Sequence, residues 1–361
     1  MKHSLIRKFA LIVMWLPVCL LASPPLPASA QKAWKVDKRL QGEANDGDFK
    51  KSKDASGIAC DRSSGFPRLC LVADDETQGA QVVILKDGEL VAGDFIKLTN
   101  AQYDGKPLEL DAEGVAFSGG SFYVVGSHGR ARHEKKAKKE AKNNAKAEAT
   151  RQIFRITLDA TSVDMKNGKL VSQPAIKRST DLVGILQNEP DLSSSFNREL
   201  ERNGLTIEGV AVREDRLYIG MRGPVLETKA AVLSVPLSAV FESQQAPSEL
   251  HRLALGTDTL GRPRGVRDII RYANGFLVLA GPRNDPPDGK VRATDYSIYE
   301  WDGDRVLERV RHIPAFGKKV KPEALLPLDG DGQRGRVLIL FDGPEEGAPR
   351  PFEVTLKKIA P

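Results

Sequence analysis

The strongest constraint in this chain is an internal repeat. Residues 113–127 align without a gap on residues 208–222, with Glu113-Gly114-Val115-Ala116 on Glu208-Gly209-Val210-Ala211 and Tyr123 on Tyr218. Each copy is a short apolar strand, a turn (Gly119-Gly120 or Glu214-Asp215) and a second apolar strand, the pattern of a β-hairpin. Three weaker copies share the plan: Ser56-Gly57-Ile58-Ala59 leads to residues 69–73, Arg267-Asp268-Ile269-Ile270 to 276–280, and Glu323-Ala324-Leu325-Leu326 to 337–341. A third strand follows each hairpin, at 81–86, 152–158, 230–237, 296–301 and 352–356. A fourth follows all but the last, at 90–98, 170–177, 250–255 and 306–313.

A repeated four-stranded unit that cannot bury both of its faces alone predicts an all-β propeller of five four-stranded blades. Six blades is the alternative, since 361 residues less a leader of 30 leave room for six of about fifty each, but no sixth hairpin is present. The strand-like segment 34–40 precedes the first hairpin and is expected to complete the last blade, so that pairing of the N- and C-terminal segments closes the ring. Residues 31–361 then form a single domain.

The strings Glu113-Gly114-Val115-Ala116, Val125-Gly126-Ser127-His128, Thr206-Ile207-Glu208-Gly209-Val210, Met221-Arg222-Gly223-Pro224, Val266-Arg267-Asp268-Ile269 and Leu279-Ala280-Gly281-Pro282 resemble the domain-of-unknown-function 3616 family of bacterial proteins. The resemblance spans most of the chain. It implies a propeller-like β fold and transfers no catalytic residue.

Lys2, Arg7 and Lys8 precede an apolar run from Phe9 to Ala22, and Ala28-Ser29-Ala30 is a small-residue cleavage site. Residues 1–30 therefore read as a signal peptide cut after Ala30, which implies a periplasmic or secreted protein with no membrane span. Export favours a disulfide between Cys60 and Cys70, the two cysteines beyond the leader.

The net charge of +6 does not argue for nucleic acid. The leader holds three of those charges, and residues 130–155 carry ten Lys or Arg against Glu134, Glu140 and Glu148, so everything else is net acidic. This Lys-rich stretch, with its insertion at 131–150, is expected to be a solvated helix or a disordered loop with no packed face. Residues 179–204 are a second excursion, irregular or helical.

Propeller topology locates the candidate site. Residues just before the innermost strand and just after the second strand meet at one mouth of the channel. The first set is Ser56, Glu113, Glu208, Arg267 and Glu323; the second includes Asp74, Asp75, Ser127, His128, Arg130, Arg222, Arg283 and Asp342. Converging carboxylates raise each other's pKa unless something neutralises them. Either a hard divalent ion such as calcium is bound by Glu113, Glu208, Glu323, Asp74 and Asp342, or Arg222 pairs with Glu208 and Arg267 with Glu323.

Arg130, Arg222, Arg267 and Arg283 are candidate contacts for an anionic ligand, and His128 is the candidate general base. Asp329-Gly330-Asp331-Gly332 resembles the start of a calcium loop but falls where the repeat requires a turn. There is no phosphate loop, nucleophile elbow or zinc-spaced cluster. These features imply a propeller that binds a small anionic molecule or an envelope protein at its charged mouth, or else a calcium-dependent hydrolase of lactones or phosphate esters.

Overall fold

The computed structural model describes residues 32–45, 48–130, 139–330 and 333–357; residues 1–30, the expected signal peptide, lie outside them. No helix among the described residues is long and apolar enough to cross a membrane. The chain forms a five-bladed β-propeller whose blades each run outward in chain order. Blade 1 is Ala55–Cys60, Arg68–Asp74, Gly79–Lys86 and Glu89–Lys97; blade 2 is Ala112–Ser118, Ser121–Gly126, Ile153–Thr157 and Ala175–Ser179. Blade 3 is Thr206–Arg213, Arg216–Leu226, Lys229–Pro236 and Glu249–Leu253; blade 4 is Arg264–Tyr272, Gly275–Pro282, Tyr296–Trp301 and Leu307–Ile313. Blade 5 has three strands, Lys321–Gly330, Arg334–Asp342 and Arg350–Thr355.

Both faces of every blade are covered, so the second strands are buried through their middles, and in blades 1, 2 and 4 end to end, as at Arg68–Asp74 and Gly275–Pro282. Each junction between blades has its own apolar core. Leu71, Val82 and Phe122 fill the first; Val125, Ile207 and Leu217 the second; Val232, Val278 and Trp301 the third; Leu279, Ile298 and Phe341 the fourth. Burying side chains of this size stabilises by about 1.5–3 kcal/mol each.

The expected closure by pairing of the two termini is not what occurs. Lys35–Asp37 joins blade 1 instead, as a fifth strand parallel to Glu89–Lys97. The local chemistry accounts for the choice: Lys35 lies opposite Glu89 with its Nζ 2.7 Å from the carboxylate, and Val36 lies opposite Leu90. Blades 5 and 1 are joined by a packed core of Ile58, Leu85, Leu326 and Leu340. Gly343 N–H also donates to Lys53 O (2.8 Å), and Trp34 N–H to Pro349 O (2.7 Å).

Cys60 and Cys70 face each other across the first hairpin and are disulfide-bonded. The Lys-rich insertion yields a helix, Glu140–Thr150, while residues 131–138 lie outside the described residues. The expectation that it has no packed face is corrected, because Ala147, Ala149 and Thr150 are buried. Small side chains let this end of the helix sit down on the propeller, and Gln152 Nε2 donates to Ala149 O (2.7 Å).

The second excursion forms helices Leu182–Asn188 and Pro190–Ser193, which send Leu182, Leu186 and Leu192 into the core between blades 2 and 3. Asp329 and Gly330 end an antiparallel hairpin arm, with Asp329 accepting from Arg336 N–H (3.1 Å) and Nε (2.8 Å); Asp331 and Gly332 lie outside the described residues.

Candidate functional site

One irregularity, repeated in every blade, builds the site. The register between the innermost strand and its neighbour slips between Ala55 and Gly57, Ala112 and Gly114, Ile207 and Gly209, Val266 and Asp268, and Pro322 and Ala324. The skipped residues are Ser56, Glu113, Glu208, Arg267 and Glu323, and a β-bulge turns its extra side chain out of the ladder. All five line a single cavity of about 330 Å³ at one mouth of the channel.

Glycine follows the bulge where adjacent innermost strands touch backbone to backbone. A Cβ on Gly57 would lie 2.9 Å from Val115 N, one on Gly114 2.9 Å from Val210 N, and one on Gly209 2.7 Å from Asp268 Cα. In blade 4 the position is Asp268, fully buried, whose carboxylate accepts from Ile269 N–H and from Leu325 N–H of blade 5, each at 2.7 Å.

The mouth has two halves of opposite character. On blades 3, 4 and 5 every acid has a base. Arg222 Nη1 lies 3.1 Å from Glu208 Oε1, and Arg267 Nη2 lies 3.2 Å from Glu208 Oε2. Arg267 also forks onto Glu323, with Nε 2.8 Å from Oε2. Lys321 Nζ lies 2.6 Å from Asp342 and 3.4 Å from Asp285, and Asp285 also takes Arg222 Nη2 at 3.0 Å. These are the pairings Arg222–Glu208 and Arg267–Glu323 that the sequence offers as one of its two alternatives.

On blades 1 and 2 the acids meet each other. Ligand oxygens of Asp75, Asp111 and Glu113 all lie within 4.8 Å of one another. Burial, then the neighbouring carboxylates of Glu208, Asp111 and Asp75, push the Glu113 carboxyl well above its usual range. Burial followed by Asp111 and Asp74 does the same to Asp75. Asp54 beside them is raised to about 6 by burial and by Asp342. Asp111 is held in the left-handed region (φ 53°), a strained conformation of the kind that collects at binding sites.

The other sequence candidates fall into place around this core. Asp74 is buried behind the rim, accepts from Glu76 N–H (3.0 Å) and is raised to about 6 mainly by burial. Arg130 lines the cavity and donates to Asn197 Oδ1 (2.9 Å). Arg283 braces the second excursion, donating to Asn203 Oδ1 (2.8 Å) and Leu200 O (3.3 Å).

His128 does not line the cavity. Its ring is buried with Nδ1 2.8 Å from Gly126 O, and burial lowers its pKa to about 4, which keeps the imidazole neutral.

The rim also holds residues the sequence reading missed. Asp54, Asp111 and Lys321 each stand two places before a bulge residue, so extending the repeat upstream would have found them. Lys146, from the described part of the insertion, lines the same cavity with its Nζ 3.6 Å from Glu109 Oε2. Among the lining side chains, eight acids face five bases, so the cavity as a whole is acidic.

A family model described as "protein of unknown function (DUF3616)" matches residues 50–351. No curated protein matches the chain. Among solved structures it is similar to glutaminyl cyclase of Myxococcus xanthus, at 11% identity over 91% of this chain and 99% of that one (TM-score 0.39). A GH43 β-1,3-galactosidase with galactodeoxynojirimycin matches at 8% identity over 88% and 94% of the two chains (TM-score 0.42). The PQQ-bound aldose sugar dehydrogenase of Streptomyces coelicolor matches at 11% identity over 89% and 98% (TM-score 0.38). Similarity at this level says nothing about chemistry.

Proposed function

Because the chain belongs to the DUF3616 family, which brings no activity with it, we propose from the mouth itself that this is a binding propeller whose acidic half takes a hard divalent cation such as calcium. The cation then offers its open coordination positions to a small anionic ligand. The observation that carries the reading is the Asp75, Asp111 and Glu113 cluster. Two oxygens sharing an ion at about 2.4 Å can stand at most about 4.8 Å apart, and carboxylates so placed are the ligands calcium prefers. No hydrogen bond or ion pair from the described residues reaches Glu113, whereas Glu208 and Glu323 are each held by arginine.

This distribution changes the anion reading. Arg222 and Arg267 are engaged with acids and Arg283 with the excursion, so an anionic ligand would be held through the ion, with Arg130 beside it. A cavity of about 330 Å³ suits a small molecule better than a protein surface. Hydrolysis of a lactone or phosphate ester would use the ion as a Lewis acid, and turnover in the same titration distinguishes that case. The Cys60–Cys70 disulfide supports work in the periplasm or outside the cell after cleavage at Ala30.

The test is thermal unfolding of chelator-stripped protein titrated with calcium, magnesium and manganese. Calcium at a hundredfold excess over its Kd should stabilise by about 2.7 kcal/mol. Glu113→Gln and Asp75→Asn should abolish that shift while remaining folded without the ion. If no divalent ion moves the transition of the native chain, or the shift survives in both variants, the reading is wrong.

A further inference from the structure

The channel has a second mouth, at the far ends of the same innermost strands, with a cavity of about 520 Å³. Its wall takes aliphatic residues from every blade: Ile58, Val115, Val210 with Val212, Ile270 and Leu326. The close backbone contacts at Gly57, Gly114 and Gly209 stand between it and the acidic mouth. Arg62, Ser63, Ser64, Arg271, Tyr272 and Asp329 add polar groups to these apolar walls, and small-molecule sites combine the two.

The polar groups at this edge are not equivalent. Arg62 already donates to Pro67 O and lies 3.7 Å from Asp61, and Asp329 is occupied by Arg336. Arg271 is exposed at the rim, and among the described residues its guanidinium donates no hydrogen bond and meets no acid. A guanidinium with its fork open above an apolar hollow matches a carboxylate or sulfonate on a hydrophobic body.

We propose that the second mouth binds a small amphipathic anion, its aliphatic or aromatic body between the five blades and its acidic head on Arg271. The disulfide has a part in this site. Cys60 lines the cavity, and its bond to Cys70 staples the loop that carries Arg62, Ser63 and Ser64 along one side. This proposal is independent of any ion at the acidic mouth.

Anilinonaphthalene sulfonate, which has this chemistry and fluoresces when desolvated, is the probe for the purified chain. One dye per chain should bind saturably, displaced by decanoate and far less well by decanol. Arg271→Ser, at an exposed position, should weaken binding about tenfold, the loss expected for one charge-assisted contact, and Arg271→Lys should restore part of it. Ala59→Phe should block the hollow. Dye bound at many sites, equal affinity in Arg271→Ser, or displacement by decanol as effective as by decanoate would each overturn the proposal. Because the two Arg271 variants alter only a surface side chain, they decide the matter even if Ala59→Phe does not fold.

Discussion

The two halves of the acidic mouth are made by the same device and have opposite electrostatics. Blades 3, 4 and 5 present Glu208, Arg267 and Glu323 from successive bulges, an alternation of sign that neutralises itself. Blades 1 and 2 present Ser56 and Glu113, with Asp75 and Asp111 crowding in and no base in the bulge positions. A bulge fixes where a side chain points but not what it meets. A repeat can therefore build a rigid half and an unfulfilled half from one motif, and the unfulfilled half is where a ligand gains most.

The largest effect should come from breaking the neutralised half. Arg267→Met leaves Glu208 and Glu323 buried without their shared base, and removing one member of a buried ion pair costs about 3–5 kcal/mol. Glu113→Gln in the other half should cost far less in ion-free buffer, because no described base is paired with that carboxyl and its neighbouring carboxylates disfavour its charge. Equilibrium unfolding in urea measures both. Equal losses in the two variants would erase the distinction between the halves.

A smaller effect, with a definite sign, follows pH, and Glu323 of the paired half, raised to about 7 mainly by burial, takes part in it with the acids of the other half. Asp54 and Asp74 titrate near 6 in the folded chain against about 4 when unfolded, and burial and neighbouring carboxylates push Asp75 and Glu113 in the same direction. Between these values the folded state holds more protons than the unfolded one, so stability falls as pH rises. His128 works the other way over the same window, since its folded pKa of about 4 lies below the unfolded value of about 6.5, but it contributes a single proton. The ion-free protein should lose on the order of 2 kcal/mol between pH 5 and pH 7 after allowance for solvent screening. Calcium should remove much of that slope by replacing the protons on Asp75 and Glu113. Thermal unfolding across this pH range with and without the ion reads both parts, and stability that climbs with pH in ion-free buffer would contradict the assignment of the acidic half.

The difference between the halves was only partly legible in the sequence. The five hairpins and the ring of Ser56, Glu113, Glu208, Arg267 and Glu323 could be read because the motif recurs, and recurrence survives divergence at single positions. The bulge could not, since one skipped residue leaves the apolar pattern of a fully buried strand unchanged. Asp54, Asp111 and Lys321 escaped because they precede the aligned window by two residues, and Lys146 because an insertion has no counterpart in the repeat. Closure was misread for a related reason. The segment around Val36 has the composition of a strand, but its choice of blade rests on three opposed pairs, Lys35 with Glu89, Val36 with Leu90 and Asp37 with Val91, whose partners lie more than fifty residues apart in the chain.

Lys146 offers the finest test of the comparison. It is a charge from outside the repeat, set beside the acidic half, where it meets Glu109 at 3.6 Å with both side chains more than a third exposed or close to it. An ion pair of that kind contributes at most about 1 kcal/mol to folding, so Lys146→Ala should move the unfolding transition little. Its charge nevertheless repels a cation entering the same cavity. Calcium affinity should rise about two- to threefold in the variant at low ionic strength, and the gain should fade near 1 M salt, where screening acts within about 3 Å. A calorimetric titration at two salt concentrations resolves a change of this size. If affinity falls instead, Lys146 belongs to the ligand's own contacts, and the insertion joins the acidic half as a working part of the site.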